Sequence, residues 1–252
     1  MKISSVRVYH ATKPFGIFFH SGQALRTGSE SVILRVSYDN GISSYGESAP
    51  RVYVTGETLS SVSELIRNSF APLLLHREIG NLEDVESILK ELEGFCSKSS
   101  LKPCSSALGA VDIALLDGLG KLENKPAAAY LGPSLKSQAA YSISIPFLPA
   151  EEIHQLFHRF RPYAFSHLKV LVQEDPSWNV KRLDLIRSLF GEEADIRIEV
   201  NGKWTFEQAV AGMKELERYR ISAVEQPLPA HDIEGLRRFR EETGMRVIAD
   251  ES

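Results

Sequence analysis

The chain has 252 residues, of which 43% are hydrophobic and 25% are charged, and its formal net charge at pH 7 is -4. This balance is typical of a globular protein and argues against a nucleic acid as partner, because phosphate binding requires clustered Lys and Arg. With no apolar run of roughly 18 residues, no signal-peptide core in residues 1–14 and only two cysteines, we expect a cytoplasmic protein that binds no membrane.

The first half of the chain predicts a small α+β unit. A first strand is expected at residues 2–10, and alternating apolar residues before Asn40-Gly41 predict a β-hairpin between residues 31 and 48. Helical periodicity then predicts three helices, at residues 58–68, 82–95 and 105–122. The pattern breaks after the third helix, so we place the end of this domain at residue 135.

An aromatic-rich segment lies between the first strand and the hairpin, and we interpret it as a long loop. It contains Phe15, Phe18, Phe19 and His20 among Gly, Ser and Pro residues. A loop with this many aromatic residues either packs against the rest of the protein or contacts a substrate. The residues themselves leave both alternatives open.

The second half, residues 136–252, alternates short apolar strands with helices. The strands are predicted at residues 141–145, 167–172, 196–200, 223–225 and 247–249. Helix-start signals lie between them, among them Asp175-Pro176 and the capping box from Thr205 to Gln208. Alternating βα units imply a parallel sheet covered by helices, either doubly wound or a (β/α)8 barrel. Because no Gly-rich nucleotide-binding motif follows a strand, we favour the barrel.

Four of these strands end with an ionisable residue: Lys169, Glu199, Glu225 and Asp250. They are separated by 30, 26 and 25 residues, which is about one βα unit each. Because the carboxyl ends of parallel strands meet at one rim, we expect the four side chains to converge. The alternative is that each is an ordinary strand-end charge in contact with solvent.

Three carboxylates that converge in an apolar setting repel one another unless a cation is present. Oxygen ligands without nearby Cys or His favour Mg²⁺ or Mn²⁺ over Zn²⁺. Asn201 follows Glu199 by two residues and is expected on the same face, in a supporting role. Lys169 lies within an apolar strand, where a cation near a metal-bound anion is chemically useful.

Together with residues 46–50 (GESAP), 55–58 (TGET) and 110–117 (AVDIALLD), these strand ends resemble the enolase superfamily. The branch that they resemble contains muconate-lactonizing enzymes, dipeptide epimerases and o-succinylbenzoate synthases. The resemblance implies an α/β protein in which an N-terminal α+β capping domain precedes a modified TIM (β/α) barrel. It also implies a catalytic role for Lys169, Mg²⁺ on Glu199, Glu225 and Asp250, and a substrate loop containing Phe15, Phe18, Phe19 and His20.

Members of this superfamily remove a proton next to a carboxylate, and a preorganised cation stabilises the resulting enediolate. The resemblance therefore implies a Mg²⁺-dependent racemase, epimerase or cycloisomerase. Its substrate would be a small carboxylate, such as a dipeptide or a cyclic acid.

Two residues depart from the family pattern. The second lysine of the K-x-K motif is the usual base, but the corresponding position here is Leu171, which cannot accept a proton. Lys169 would then act as an electrostatic stabiliser or as a surrogate base. The first metal ligand is more often Asp in this branch, whereas Glu199 reaches one methylene further.

The length is a third departure, because a capping domain plus a complete barrel needs roughly 375 residues. We therefore expect an incomplete barrel of five strands, whose unpaired edges favour a homo-oligomer. The missing base and strands also suggest an alternative function: a catalytically silent family member that serves as a metal-binding or interaction module.

Overall fold

The structure is a computed structural model that describes residues 1–20, 25–99 and 103–252, with side chains described outside residues 16–26. The chain divides into two compact units. The first contains Met1–Gly16 and Thr27–Leu135, and the second contains Ile17–Arg26 and Lys136–Ser252. None of the helices within the described ranges is long and apolar enough to cross a membrane.

A three-stranded sheet, in the order β1-β2-β3, begins the chain. Its strands are β1 (Ile3–His20), β2 (Leu25–Tyr38) and β3 (Ser43–Ser48). The last two are antiparallel, from Val32 opposite Ser48 to Ser37 opposite Ser43. Gly41 has φ 85° in the turn between them, a conformation that favours glycine. The predicted hairpin is confirmed.

The prediction of a loop at residues 15–20 is wrong, because β1 continues through them to His20. Aromatic residues favour strands, and pairing with β2 satisfies backbone groups that a loop would leave to solvent. Pro14 and Gly16 suggested a loop, but both residue types are tolerated in a strand at the edge of a sheet. In the described part of the chain, β1 is such an edge strand.

Among the described residues, five α-helices follow the first sheet: α1 (Val52–Thr55), α2 (Leu59–Leu65), α3 (Ala71–Leu74), α4 (Leu82–Lys98) and α5 (Ser105–Glu123). A π-helical turn (Ile66–Phe70) joins α2 to α3, and a 3₁₀ turn (Ala127–Tyr130) follows α5. Helix α5 packs so closely on β3 that a Cβ atom at Gly46 would lie 1.9 Å from the carbonyl oxygen of Ala110. Glycine is therefore required where the strand and the helix meet.

The second unit contains a five-stranded parallel sheet in the order β4-β5-β6-β7-β8. The strands are β4 (Ser142–Ile145), β5 (His167–Leu171), β6 (Asp195–Glu199), β7 (Ile221–Glu225) and β8 (Val247–Ile248). The helices between them are α6 (Ala150–Phe160), α7 (Pro176–Phe190), α8 (Phe206–Glu215) and α9 (Ile233–Thr243). Two 3₁₀ turns, Arg161–Tyr163 and Glu217–Tyr219, complete this unit.

Each strand of this sheet lies beside the strand that precedes it in the chain. A doubly wound sheet reverses its strand order at a switch point, whereas a barrel adds its strands in sequence. The predicted fold, an α+β domain followed by an incomplete (β/α) barrel, is therefore confirmed.

The two faces of the parallel sheet have different roles. Leu168 and Val170 belong to the hydrophobic core that the helices cover. Because successive side chains of a strand point to opposite faces, Lys169 and Leu171 lie on the other face. Leu171 is in register with Glu199, and Glu199 with Glu225, so these neighbouring strands present their final side chains side by side.

Candidate metal centre

Three carboxylates meet at the carboxyl ends of β6, β7 and β8. Glu199 and Glu225 are the last residues of their strands, and Asp250 follows β8 by two residues. One carboxylate oxygen from each lies within 4.8 Å of the others. Glu199 and Glu225 are each only 8% exposed, whereas Asp250 is exposed. Two nearly buried acids at such short range require a positive charge nearby.

Lys169 supplies one positive charge to this cluster. Its Nζ lies 2.9 Å from Oε2 of Glu199 and 3.0 Å from Oε1 of Glu225. Burial lowers the pKa of the ammonium, but the hydrogen bonds and charges of the two carboxylates outweigh this effect and raise the pKa of Lys169 above its usual value. In this arrangement Lys169 is a cation.

Asn201 lies beside the same cluster. Its Nδ2 donates to Oε1 of Glu199 at 2.7 Å and to Oε1 of Glu251 at 3.5 Å. Its backbone has φ 54°, a left-handed conformation that Asn adopts more readily than most residues. The left-handed turn directs the amide back towards Glu199, so one Glu199 oxygen contacts Asn201 and the other contacts Lys169.

Leu171 is 1% exposed and stands directly beside Glu199 in the sheet. Strand alternation places it on the same face as Lys169. An isobutyl side chain has no polar atom, so it forms an apolar wall next to the carboxylates, at the position where the resemblance described above implies a lysine.

The aromatic residues of the first strand are not assigned to this cluster by the structure. Phe15 is half-buried within β1. The backbone positions of Phe18, Phe19 and His20 belong to the same strand, but their side chains lie outside the described residues. Their predicted contact with substrate stays a prediction.

Gln226 is a residue of this region that the sequence pattern did not single out. It is fully buried, and its Oε1 accepts hydrogen bonds from the backbone nitrogens of Asp250 (3.0 Å) and Glu251 (3.1 Å). Its position in the sequence could have identified it. An amide between Glu225, at the end of a strand, and Pro227 needs several hydrogen-bond partners once it is buried.

The residues present fit a hard divalent cation. The donor set consists of carboxylate oxygens, which Mg²⁺ and Mn²⁺ prefer. One oxygen from each of the three carboxylates lies within 4.8 Å of the others, a separation compatible with ligands of a single ion.

Comparison with known families agrees with this geometry. Residues 2–132 match the mandelate racemase / muconate lactonizing enzyme N-terminal domain, and residues 151–252 match the enolase C-terminal domain-like family. The chain belongs to the mandelate racemase / muconate lactonizing enzyme family. The enolase-superfamily resemblance of its motifs is thereby confirmed.

Several characterised members of this family are similar along most of the chain. The L-Ala-D/L-Glu epimerase of Bacillus subtilis is 30% identical over 249 residues, covering 96% of this chain and 63% of the relative. The N-succinyl-L-Arg/Lys racemase of Bacillus cereus is 25% identical, covering 100% of this chain and 66% of the relative. The chain thus spans slightly less than two thirds of the length of these two family members.

A solved structure of the family shows the same fold. The dipeptide epimerase of Enterococcus faecalis V583, in a crystal structure with Mg and the dipeptide L-Leu-L-Tyr, superposes with a TM-score of 0.87. The two chains are 26% identical, and the match covers 100% of this chain and 68% of that one.

Proposed function

We propose that this chain takes part in Mg²⁺-dependent removal of the proton α to a carboxylate, in a racemase, epimerase or cycloisomerase reaction. The observation that carries the proposal is the meeting of Glu199, Glu225 and Asp250 around one small volume, with Lys169 in contact with two of them. The relatives support it, because they are epimerases and a racemase and one is a complex with Mg and a dipeptide. A small carboxylate, such as a dipeptide or a cyclic acid, is the proposed substrate.

We assign the metal-holding role to Glu199, Glu225 and Asp250. When bound, Mg²⁺ supplies the positive charge that makes an α-proton acidic enough to be removed, and Mn²⁺ suits the same oxygen donors. Asn201 holds the orientation of Glu199 through its hydrogen bond. In this proposal these four residues prepare the site before the substrate arrives.

Lys169 is proposed as the second cation of the site. While no metal is bound, the two carboxylates raise the pKa of Lys169 and hold it as an ammonium. With Mg²⁺ on the same carboxylates, Lys169 would either stabilise negative charge on the substrate or, as a neutral amine, serve as the surrogate base that accepts the α-proton. Leu171 cannot accept a proton. A lysine restored at this position therefore tests whether the rest of the machinery is competent.

The decisive experiment follows the α-proton by NMR in deuterated water with Mg²⁺ and a panel of dipeptides and other small carboxylates. We expect exchange with the wild-type chain, its loss in Glu225→Gln and Lys169→Met, and a higher rate in Leu171→Lys. Lys121→Met is the control, because Lys121 is an exposed lysine of the first unit. Absence of exchange in both the wild type and Leu171→Lys would contradict the proposal.

The alternative function is a catalytically silent metal-binding or interaction module. Leu171 is the observation that favours it, but the relatives reported above are epimerases and a racemase, so the comparisons give it no support. Mg²⁺ binding without exchange in the wild type, together with exchange in Leu171→Lys, is the result that would identify a chain lacking only its base.

Three further assignments belong to this proposal. Residues 1–135 act as the capping domain and residues 136–252 carry the chemistry, which limited proteolysis and separate expression can check. A homo-oligomer is also part of the proposal, which light scattering can check. A cytoplasmic location stays a prediction for a fluorescent fusion to test.

A further inference from the structure

We infer that Gln226 is a positioning residue that holds the third carboxylate of the cluster, Asp250, in place; this inference rests on the proposed metal-binding function. The difficulty that Gln226 resolves is the shortness of β8. This strand contains only Val247 and Ile248, and its pairing with β7 ends at Glu225 opposite Ile248. Asp250 lies two residues beyond the last pair, so strand pairing does not fix its backbone.

The side-chain amide of Gln226 forms hydrogen bonds with the backbone beyond the last β7–β8 residue pair. Its Oε1 accepts from the backbone nitrogens of both Asp250 and Glu251, at 3.0 and 3.1 Å. Its Nε2 donates to the carbonyl oxygen of Leu228 at 2.9 Å and to Oγ of Ser252 at 2.7 Å. All four hydrogen-bonding positions of the side chain are used, and three of the four partners lie on residues 250–252, the segment that carries Asp250.

The backbone of Gln226 reaches the other two acidic residues. Its nitrogen donates to the carbonyl oxygen of Ile248 at 2.9 Å, and its own carbonyl oxygen accepts from Gly202 at 2.7 Å, in the turn that follows Glu199. Glu225 is its immediate neighbour in sequence. One fully buried residue therefore contacts the segments that carry all three carboxylates.

The conformation of Gln226 supports a specific role. Its φ is 39°, in a region that residues other than glycine seldom adopt. A residue held there needs compensating interactions, and the four side-chain hydrogen bonds provide them. Because partners of metal ligands commonly change metal affinity 10- to 100-fold when mutated, loss of this amide should be visible in binding.

The test is calorimetry of Mg²⁺ binding to the full chain and to Gln226→Leu, which removes the amide and keeps a similar volume. We expect the dissociation constant to rise about tenfold or more. Asn179→Leu is the matched control, because Asn179 is also a buried amide, 2% exposed, that accepts from the nitrogen of Gln173 and donates to its carbonyl oxygen. The control should leave Mg²⁺ affinity within about twofold, since Gln173 carries no carboxylate of the cluster.

A milder variant and a metal-free readout accompany this measurement. Ser252→Ala removes one partner of Nε2 at an exposed residue and should raise the dissociation constant about two- to threefold even if Gln226→Leu folds poorly. Without metal, hydrogen exchange at Asp250 and Glu251 should be faster in Gln226→Leu than in the wild type.

The outcomes separate this inference from the proposed function. Unchanged Mg²⁺ affinity in Gln226→Leu and Ser252→Ala, with normal binding by the wild type, overturns the positioning role alone. Equal losses in Gln226→Leu and Asn179→Leu also overturn it, because the effect would then follow from general destabilisation. A wild-type chain that binds no Mg²⁺ overturns the proposed metal site and the inference with it.

Discussion

Replacement of Lys169 by Met should destabilise the protein, because it leaves two carboxylates facing each other without their cation. The side chains of Glu199 and Glu225 are 11% and 10% exposed, and that of Lys169 is 26% exposed. Breaking a fully buried ion pair costs about 3 to 5 kcal/mol, and the partial exposure of the lysine reduces this to about 2 kcal/mol. For a protein of this size the melting temperature should fall by roughly 4 to 8 °C.

The assay is a double-mutant cycle in thermal and urea unfolding, with chelator present at pH 7. Lys169→Met, Glu199→Gln and the double variant should give a coupling energy of about 1 to 2 kcal/mol. Lys121→Met is the control: its ion pair with Asp117 is 2.6 Å long but well exposed, so it should contribute less than about 0.5 kcal/mol. A coupling energy below about 0.5 kcal/mol between Lys169 and Glu199 would refute the reasoning.

The stability difference between the wild type and Lys169→Met depends on pH in a way that follows from the direction in which the pKa of Lys169 is shifted. The pKa of Lys169 is raised in the folded state, so its stabilising contribution is fully present below the unfolded value of 10.5. That contribution is lost only as the pH rises through the higher folded pKa. The stability difference between wild type and Lys169→Met should therefore stay constant from neutral pH to about pH 10 and shrink above it.

Three other substitutions have defined outcomes. Gly46→Ala forces a Cβ to 1.9 Å from the carbonyl oxygen of Ala110 in α5 and should lower the free energy of unfolding by about 3 kcal/mol or more in urea. Gly109→Ala is the control: Gly109 lies on α5 with open space around it, so this variant should raise the free energy of unfolding by about 0.5 to 1 kcal/mol. Asp112→Asn should raise the melting temperature at pH 7, because burial raises the pKa of Asp112 and penalises its charged form; the gain should shrink as the pH falls and the wild-type carboxyl becomes protonated. Asn201→Gly keeps the left-handed turn but removes the hydrogen bond to Glu199, so calorimetry should show Mg²⁺ affinity lowered several-fold, and an unchanged affinity would count against a supporting role.

Local pattern was sufficient to predict most of the second unit. Each βα repeat has its own signals, and both Asp175 and Thr205 act as helix N-caps as their sequences predict. The extent of β1 was not predicted, because whether Pro14 and Gly16 interrupt a strand depends on its place at the edge of a sheet.

The contacts of the carboxylate cluster needed three-dimensional information. Lys169 meets a carboxylate 56 residues further along the chain, and Gln226 contacts the backbone of Asp250 and Glu251, which lie beyond α9 in the chain. Periodicity identifies which face a side chain occupies, but it does not tell which atoms of neighbouring strands come within hydrogen-bonding distance. The convergence of the strand ends could be expected, whereas the partner of each oxygen could not.

The last residues of β5, β6 and β7 are in register with one another. The carboxylate cluster is therefore sensitive to the length of these strands and tolerant of the length of the loops. One residue inserted into β6 ahead of Glu199 would turn this carboxylate towards the helices and bring an apolar neighbour into its place. Residues added to the connections at the opposite ends of the strands leave the alignment intact. Redesign of this cluster should therefore keep the strands unaltered and confine insertions to the connecting segments.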